Sequence, residues 1–177
     1  LTVLLGALAD DDLEVRRAAV AGLAEIDSPE VEPALAQALS DDDAGIRRMA
    51  AWALGERQSG AQALRIAVDD PDRDVRRAAI HALAEAGDAS SVDILLEALD
   101  DDDAQVRAAA LRGLAEINPD LVPVERVARQ LREDTSRDVR RTAAWILGDM
   151  GTVEAIEALR GALKDEDPDV RRAAAAA

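Results

Sequence analysis

The chain has 177 residues, a net charge of −16 and only two aromatic side chains, both Trp. A core without Phe or Tyr must be built from Ala, Leu, Val and Ile, which favours closely packed helices over a sheet. Such a negative charge does not attract phosphate backbones, which argues against nucleic-acid binding.

Near-copies of one segment recur along the chain. They read DLEVRRAAVAGLAEI from Asp12, DAGIRRMAAWALGER from Asp43, DRDVRRAAIHALAEA from Asp72, DAQVRAAALRGLAEI from Asp103, SRDVRRTAAWILGDM from Ser136 and a shorter DPDVRRAAAAA from Asp167. We number these repeats 1 to 6 by an anchor residue, which is Val15, Ile46, Val75, Val106, Val139 or Val170. The anchors recur at intervals of about 31 residues, with one interval slightly shorter and one slightly longer, so the copies form a regular array.

The segment that follows each anchor is predicted to be a helix, which we call the second helix of its repeat. In repeat 1, Val15, Ala19, Gly22, Leu23 and Ile26 stand at offsets 0, 4, 7, 8 and 11 from the anchor, and these offsets fall within about 100° of arc on one helix face. The residue three positions before the anchor is Asp in five repeats and Ser136 in repeat 5, as expected of an N-cap. Pro168 follows Asp167 directly, as expected at the first position of a helix.

A first helix is predicted between successive second helices. The segments SPEVEPALAQAL from Ser28, DASSVDILLEAL from Asp88 and GTVEAIEALRGAL from Gly151 carry apolar residues at helical spacing. The short repeat loses residues around RQSGAQAL, and the long repeat gains them around NPDLVPVERVARQL. Both changes fall in a first helix or its turn, so the second helices keep their register.

One helix pair cannot bury its apolar faces alone, so the pairs must stack. The period, the motif Asp-x-x-Val-Arg-Arg-Ala-Ala and the motif Ala-Leu-Gly-Glu resemble the short HEAT-like repeats named for the phycobilisome lyases. The resemblance implies an all-α, right-handed α-solenoid of stacked antiparallel helix pairs, with about six units. Both terminal units are incomplete, and neither has the polar face of a capping repeat. We therefore expect 1–177 to be a single array within a longer protein.

Two charged patterns are interpreted as structural. The aspartate runs before each second helix lack the spacing of calcium-binding loops, and we expect them to cap helices and complement the helix dipole. The first arginine after each anchor lies at the rim of the buried face and is expected to reach an aspartate of a neighbouring repeat. These arginines are Arg16, Arg47, Arg76, Arg107, Arg140 and Arg171.

The outer face of the second helices is the candidate binding site. Because a helix rotates by about 100° per residue, offsets 2, 6 and 10 lie on the side opposite the apolar face and point away from the core. We call these positions the second-helix stripe, which carries Arg17, Arg48, Trp52, Glu56, Arg77, His81, Glu85, Arg112, Glu116, Arg141, Trp145 and Asp149. Offset 6 varies most and holds both tryptophans and the only histidine. The resemblance implies that this face is the concave side of the solenoid.

The stripe predicts a non-enzymatic scaffold that binds a protein or peptide on its concave face, because exposed Trp and Arg are common binding anchors. The alternative for each Trp is a structural role, in which the indole packs over the alanine-rich surface between repeats and contacts no partner. An enzyme or enzyme subunit of the bilin-lyase or chaperone type is the alternative function. DNA binding through the arginines is a third class, which the net charge disfavours.

We expect no catalytic residue, cofactor or metal site. A single histidine cannot supply the paired His-Glu motifs of deoxyhypusine hydroxylase, another protein with such repeats. There is no Cys, no phosphate-binding glycine loop, no signal peptide and no apolar run of transmembrane length. These absences leave the localisation open and favour the cytoplasm.

Overall fold

Helices account for the regular structure of this chain. A computed structural model describes residues 1–87, 91–117 and 121–177, and these ranges contain twelve α-helices, one 3-10 helix and no strand. The predicted all-α class is confirmed. The start of the predicted helix at Asp88, and residues 118–120 of the lengthened segment, lie outside the described residues.

The first compact unit, Leu1–Ala86, contains three helix pairs. In chain order the helices are α1 (Thr2–Ala7), α2 (Leu13–Ala24), α3 (Val31–Ala38), α4 (Ala44–Glu56), α5 (Ala61–Ala67) and α6 (Arg73–Glu85). The second helices of repeats 1 to 3 are α2, α4 and α6, and each packs against the next. Each also packs against the first helix of its own repeat.

The second compact unit, Gly87–Ala177, repeats this arrangement. Its helices are α7 (Val92–Glu97), the 3-10 helix (Ala98–Asp100), α8 (Ala104–Ile117), α9 (Val124–Glu133), α10 (Arg137–Met150), α11 (Val153–Ala162) and α12 (Pro168–Ala176). The second helix α10 packs against both α8 and α12. Stacked helix pairs of this kind form an α-solenoid, as predicted. In the described part of the chain, no helix has the length and apolarity needed to cross a membrane.

The core follows the predicted apolar offsets and is wider than the pattern indicates. Every anchor from Ile46 onward is at most 1% exposed, and so is the residue five positions after the anchor in repeats 1 to 5. These offset-5 residues are Val20, Ala51, Ile80, Leu111 and Ala144. The helical rotation places them beyond the edge of the predicted face. Their burial is expected where a second helix touches its own first helix and a neighbouring second helix, since two contacts cover a wider arc than one.

Three local predictions need correction. The anchor Val15 of repeat 1 is 38% exposed, unlike the other anchors. Ser136 stands at the N-cap of α10, but its side chain accepts no hydrogen bond there. The helix predicted from Ser28 begins at Val31, whose N–H donates to the Ser28 carbonyl in a preceding turn.

Small residues bring adjacent second helices close together, as the alanine content predicts. A Cβ placed on Gly55 of α4 would lie 2.7 Å from the Cβ and 2.9 Å from the Cα of Ala82 on α6. Real side-chain contacts are not this short, so the spacing between α4 and α6 depends on glycine at this position. The close approach also determines how the outer faces of these two helices meet.

Candidate functional site

The predicted arginine–aspartate contacts join adjacent repeats in both units. Arg47 donates through Nε to Asp70 Oδ2 at 2.6 Å and through Nη2 to Asp70 Oδ1 at 2.9 Å. Its Nη1 donates to the carbonyls of Asp41 and Asp42 in its own turn at 2.8 and 3.0 Å. The same two-bond pairing joins Arg16 to Asp41, Arg107 to Asp134 and Arg140 to Asp165. We call this set of contacts the arginine–aspartate ladder.

Each ladder aspartate accepts hydrogen bonds from its own turn as well as from the arginine of the preceding repeat. Asp70 Oδ1 also accepts the backbone N–H of Asp72 at 2.8 Å. Burial of Asp70 opposes its charge, but the hydrogen bonds from Arg47 and Asp72 outweigh burial and lower the pKa of Asp70 below its ordinary value. The same balance of burial against hydrogen bonds from an arginine and a backbone N–H lowers the pKa of Asp41 and that of Asp165. The ladder is thus a stabilising element between repeats.

Five other aspartates of the turns, one at the start of each second helix except α10, cap these helices. Asp12 accepts the backbone N–H groups of Glu14 and Val15 at 2.8 and 3.3 Å. Asp43, Asp72, Asp103 and Asp167 cap their helices in the same way. Within the described residues, no group of three or more acidic or histidine side chains is arranged to hold a metal ion. The acidic turns therefore have a structural role at the start of each helix.

The second-helix stripe lies at the surface. Ten of its twelve residues are exposed, while Arg17 and Glu85 are half-buried. Trp52 is 44% exposed and Trp145 is 63% exposed. The predicted outward orientation agrees with these exposures, while the role of the stripe in binding remains a prediction.

The arginines of the stripe differ in whether they are paired. In four repeats the arginine at offset 2 forms an ion pair with an acid three residues earlier on the same helix. These pairs are Glu14–Arg17, Asp74–Arg77, Asp138–Arg141 and Asp169–Arg172. Repeat 2 has Gly45 at the position of the acid, and Arg48 has no ion-pair partner among the described residues. Arg48 is therefore available to a ligand.

An apolar groove lies between α2 and α4, next to Arg48. Its volume is about 260 Å³, and its lining includes Ala21 and Ala24 of α2 with Met49 and Ala53 of α4. Trp52 also lines the groove, as do Arg48 and Glu56. Because Arg48, Trp52 and Glu56 are four residues apart, they lie one above the other on α4. The Trp52 groove thus combines apolar walls with one cationic and one anionic side chain.

The other side of Trp52 contacts α6. The ring centroids of Trp52 and His81 are 4.9 Å apart, with the ring planes inclined by 40°. His81 Nδ1 lies 3.3 Å from Oε2 of Glu85, one helical turn further along α6. Oε2 of Glu85 is buried and lacks a hydrogen bond of good geometry. The carboxylate of Glu85 lies beside Gly55 of α4. Because α4 packs against α6 at this point, Glu85 is half-buried instead of exposed as the sequence predicts.

The stripe of unit 2 is more open than that of unit 1. Trp145 on α10 is more exposed than Trp52, and Arg141 beside it is paired with Asp138 at 3.1 Å. Arg112 of α8 is exposed, and it has no ion-pair partner among the described residues. The stripe therefore presents one indole and one unpaired guanidinium in this unit.

The groove itself is not among the features predicted from the sequence. A stripe on one helix does not show which side chains of the neighbouring helix close a cavity with it. The available signal is the size change at offset 6, where Ala21 of repeat 1 precedes Trp52 of repeat 2. A small residue beside a large one on adjacent helices leaves a space along the larger side chain.

The fold and the charged ladder define an α-solenoid made of short helical repeats. The chain belongs to the HEAT-repeat family, whose model matches residues 1–66, 60–124 and 124–177. No curated protein sequence matches the chain significantly.

Solved structures of similar fold include several repeat proteins. The complex of CpcE and CpcF of phycocyanin lyase from Nostoc sp. PCC7120 is 24% identical, with a TM-score of 0.69 over 98% of this chain and 73% of that chain. YibA from Escherichia coli is 20% identical, with a TM-score of 0.70 over 98% and 67% of the two chains. A designed armadillo repeat protein in complex with the peptide (KR)4 is 19% identical, with a TM-score of 0.66 over 98% and 95%. At these identities the likeness shows the fold alone.

Proposed function

We propose that this chain is a non-enzymatic HEAT-repeat scaffold that binds a protein or peptide on the face formed by its second helices. The observation that carries the proposal is the Trp52 groove, where an apolar cavity of about 260 Å³ adjoins an unpaired Arg48 and an exposed Trp52. Binding sites on protein surfaces combine an apolar centre with a polar rim and are rich in Trp and Arg.

The stripe suits a protein ligand better than a uniform polyanion. Arginines and acids alternate along the second helices, so the surface offers forked donors for carboxylates and acceptors for basic groups. Two structures of similar fold are complexes, one with the peptide (KR)4 and one between CpcE and CpcF. They support the choice of a peptide or protein as the partner class.

A peptide library tests the proposal directly. Random twelve-residue peptides displayed on yeast are selected for binding to the whole chain, and the selected peptides are then measured against variants. We expect Trp52→Ala to weaken binding about tenfold or more, in the range of an interface anchor. Glu97→Ala, on the exposed surface of α7, is the matched control and should leave binding unchanged. If selected peptides bind the Trp52→Ala variant equally well, the groove is not the binding site.

The bilin-lyase or chaperone role remains the alternative function. The likeness to the CpcE–CpcF structure concerns the fold, and no residue of the stripe is assigned to such a reaction. A visible absorption band that appears when the chain is mixed with an open-chain tetrapyrrole would favour this alternative. Loss of that band in the Trp52→Ala variant would place the pigment in the same groove.

A further inference from the structure

We propose that the Trp52 groove selects a polarised segment, which is an extended peptide with an apolar side chain between an acidic and a basic residue. The apolar side chain lies against Trp52, the acid pairs with Arg48 and the base pairs with Glu56. This inference rests on the proposed function and adds the chemistry of the ligand to it. Three features of unit 1 support it, namely the missing partner of Arg48, the free acids at the helix ends, and their separation.

Arg48 lacks an ion-pair partner among the described residues because its own repeat has Gly45 where the flanking repeats have an acid. Arg17 and Arg77, at the same offset in the flanking repeats, are held by Glu14 and Asp74 at 2.8 and 3.0 Å. Gly45 leaves Arg48 without such an acid, on an exposed surface beside an apolar groove. A guanidinium next to low-dielectric surface binds a carboxylate through two parallel hydrogen bonds. The ligand group at this end of the groove is therefore anionic.

The other end of the groove is anionic itself. Glu56 is the last residue of α4, and Glu25 follows the last residue of α2. Both are exposed, and neither has an ion-pair partner among the described residues. The C-terminal ends of the two helices add the negative end of their dipoles. A basic side chain is thus favoured here, and a chain with net charge −16 attracts a basic segment.

The separation of the two charges sets the spacing in the ligand. Arg48 and Glu56 are eight residues apart on a helix, which corresponds to about 12 Å along its axis. In an extended chain, residues i, i+2 and i+4 point to one side and span about 13 Å. A segment of the form acid-x-apolar-x-base therefore places its three side chains over Arg48, Trp52 and Glu56 together. It can do so in either chain direction, because only the order of charges along the groove is fixed.

Charge reversal on both partners provides the test. A peptide selected on the whole chain is remade with its acid changed to Lys, or with its base changed to Glu. Each change should weaken binding to the unaltered chain about fivefold or more, as contacting charges do. The Arg48→Glu variant should bind the peptide whose acid was changed to Lys, but not the peptide whose base was changed to Glu. The Glu56→Arg variant should show the reverse preference.

The control is an exchange of charges away from the groove. Glu157→Arg with Arg160→Glu keeps the net charge and alters exposed residues of α11, so it should change none of these affinities. Peptides that require Trp52 but show no pairing with Arg48 or Glu56 would overturn the polarised segment and leave the proposed function standing. If no selected peptide requires Trp52, the proposed function fails and the inference fails with it.

Discussion

Arg47 and Asp70 join repeat 2 to repeat 3 through two parallel hydrogen bonds, at 2.6 and 2.9 Å between their nitrogen and oxygen atoms. The side chain of Asp70 is 7% exposed and that of Arg47 is 13% exposed. The next residue on the helix, Arg48, is exposed and has no ion-pair partner among the described residues. The two consecutive arginines thus have different roles, since Arg47 connects two repeats and Arg48 remains free to bind a ligand.

This contrast predicts different effects of two identical substitutions. Arg47→Ala leaves a buried carboxylate without its charged partner and should lower the free energy of unfolding by about 2–3 kcal/mol. Arg48→Ala removes an exposed side chain and should change it by less than about 0.5 kcal/mol. Urea unfolding followed by circular dichroism measures both. Equal values for the two variants would contradict the assignment of the ladder as a stabilising element.

The repeat pattern was sufficient to predict most of the fold. A period set by the anchors, a capping Asp before every second helix except α10 and helical spacing of Leu and Val are all local signals, and the structure bears them out. The burial of Val20 and Ala51, outside the predicted face, follows from contacts between repeats. Such contacts depend on the stacking of helices, which the pattern within one helix does not contain.

Acid should destabilise the array through the ladder aspartates. The pKa values of Asp41, Asp70 and Asp165 are lowered in the folded chain, so the folded state binds fewer protons than the unfolded state. Their stabilising contribution is present above the unfolded pKa, about 3.9, and is lost as the pH falls through the lower folded values. We expect the free energy of unfolding to fall with decreasing pH below about 4.

Asp70→Asn provides the control for this pH dependence. It removes one titrating partner of Arg47, so the variant should be less stable near neutral pH and should lose less stability on acidification. Denaturant unfolding at a series of pH values measures both curves. Parallel curves for the two proteins would show that Asp70 does not contribute to the acid sensitivity.

Added salt should stabilise this chain, whereas it should destabilise a protein held together by surface ion pairs. The net charge of −16 makes exposed acids repel one another, and salt screens these charges more than the partly buried ladder. We expect the melting temperature to rise between low salt and about 0.5 M NaCl. Asp11→Asn with Asp42→Asn removes two exposed acids and should flatten the rise. A falling curve would mean that the ion pairs outweigh the repulsion.

Glycine substitutions test the close approach of the second helices. Gly55→Ala would place a Cβ 2.7 Å from that of Ala82 and force α4 and α6 apart. We expect it to cost about 1–3 kcal/mol through overpacking, despite the better helix propensity of Ala. Gly161→Ala on α11 meets no atom within 4 Å and should stabilise the chain by up to about 1 kcal/mol. Thermal unfolding distinguishes the two, and a gain at both positions would contradict the packing.

The candidate site was only partly predictable from the sequence. The regular rotation of a helix places Trp52 and Trp145 on the outer face, and both are exposed. The groove depends on Ala21 of the preceding repeat, and the ring contact depends on His81 of the following one. Neither neighbour can be assigned until the helices are stacked, so the periodicity predicts the surface but not its cavities.

Substitution of Trp52 or Arg112 should weaken binding with little loss of stability. Neither side chain lies in the core. Trp52→Ala is expected to weaken binding of a peptide held in the Trp52 groove by about 1–2 kcal/mol or more, and Arg112→Ala is expected to weaken by a similar amount the binding of a partner to the stripe of unit 2. Arg112→Ala should leave the melting temperature unchanged, since Arg112 has no ion pair with a described residue. Trp52→Ala also loses the contact with His81 and should show a small decrease, of about 1 kcal/mol in the free energy of unfolding.

Isothermal titration with a selected peptide and thermal unfolding of the same samples measure the two effects of each substitution. Trp52→Phe retains an aromatic ring beside His81 and should recover stability more fully than binding, because the smaller ring fills less of the groove. Glu97→Ala should change neither quantity. If Trp52→Ala unfolds the array while the remaining folded protein keeps its affinity, the indole serves the packing of α4 against α6. The partner would then have to bind elsewhere on the second-helix stripe, with Trp145 as the next position to substitute.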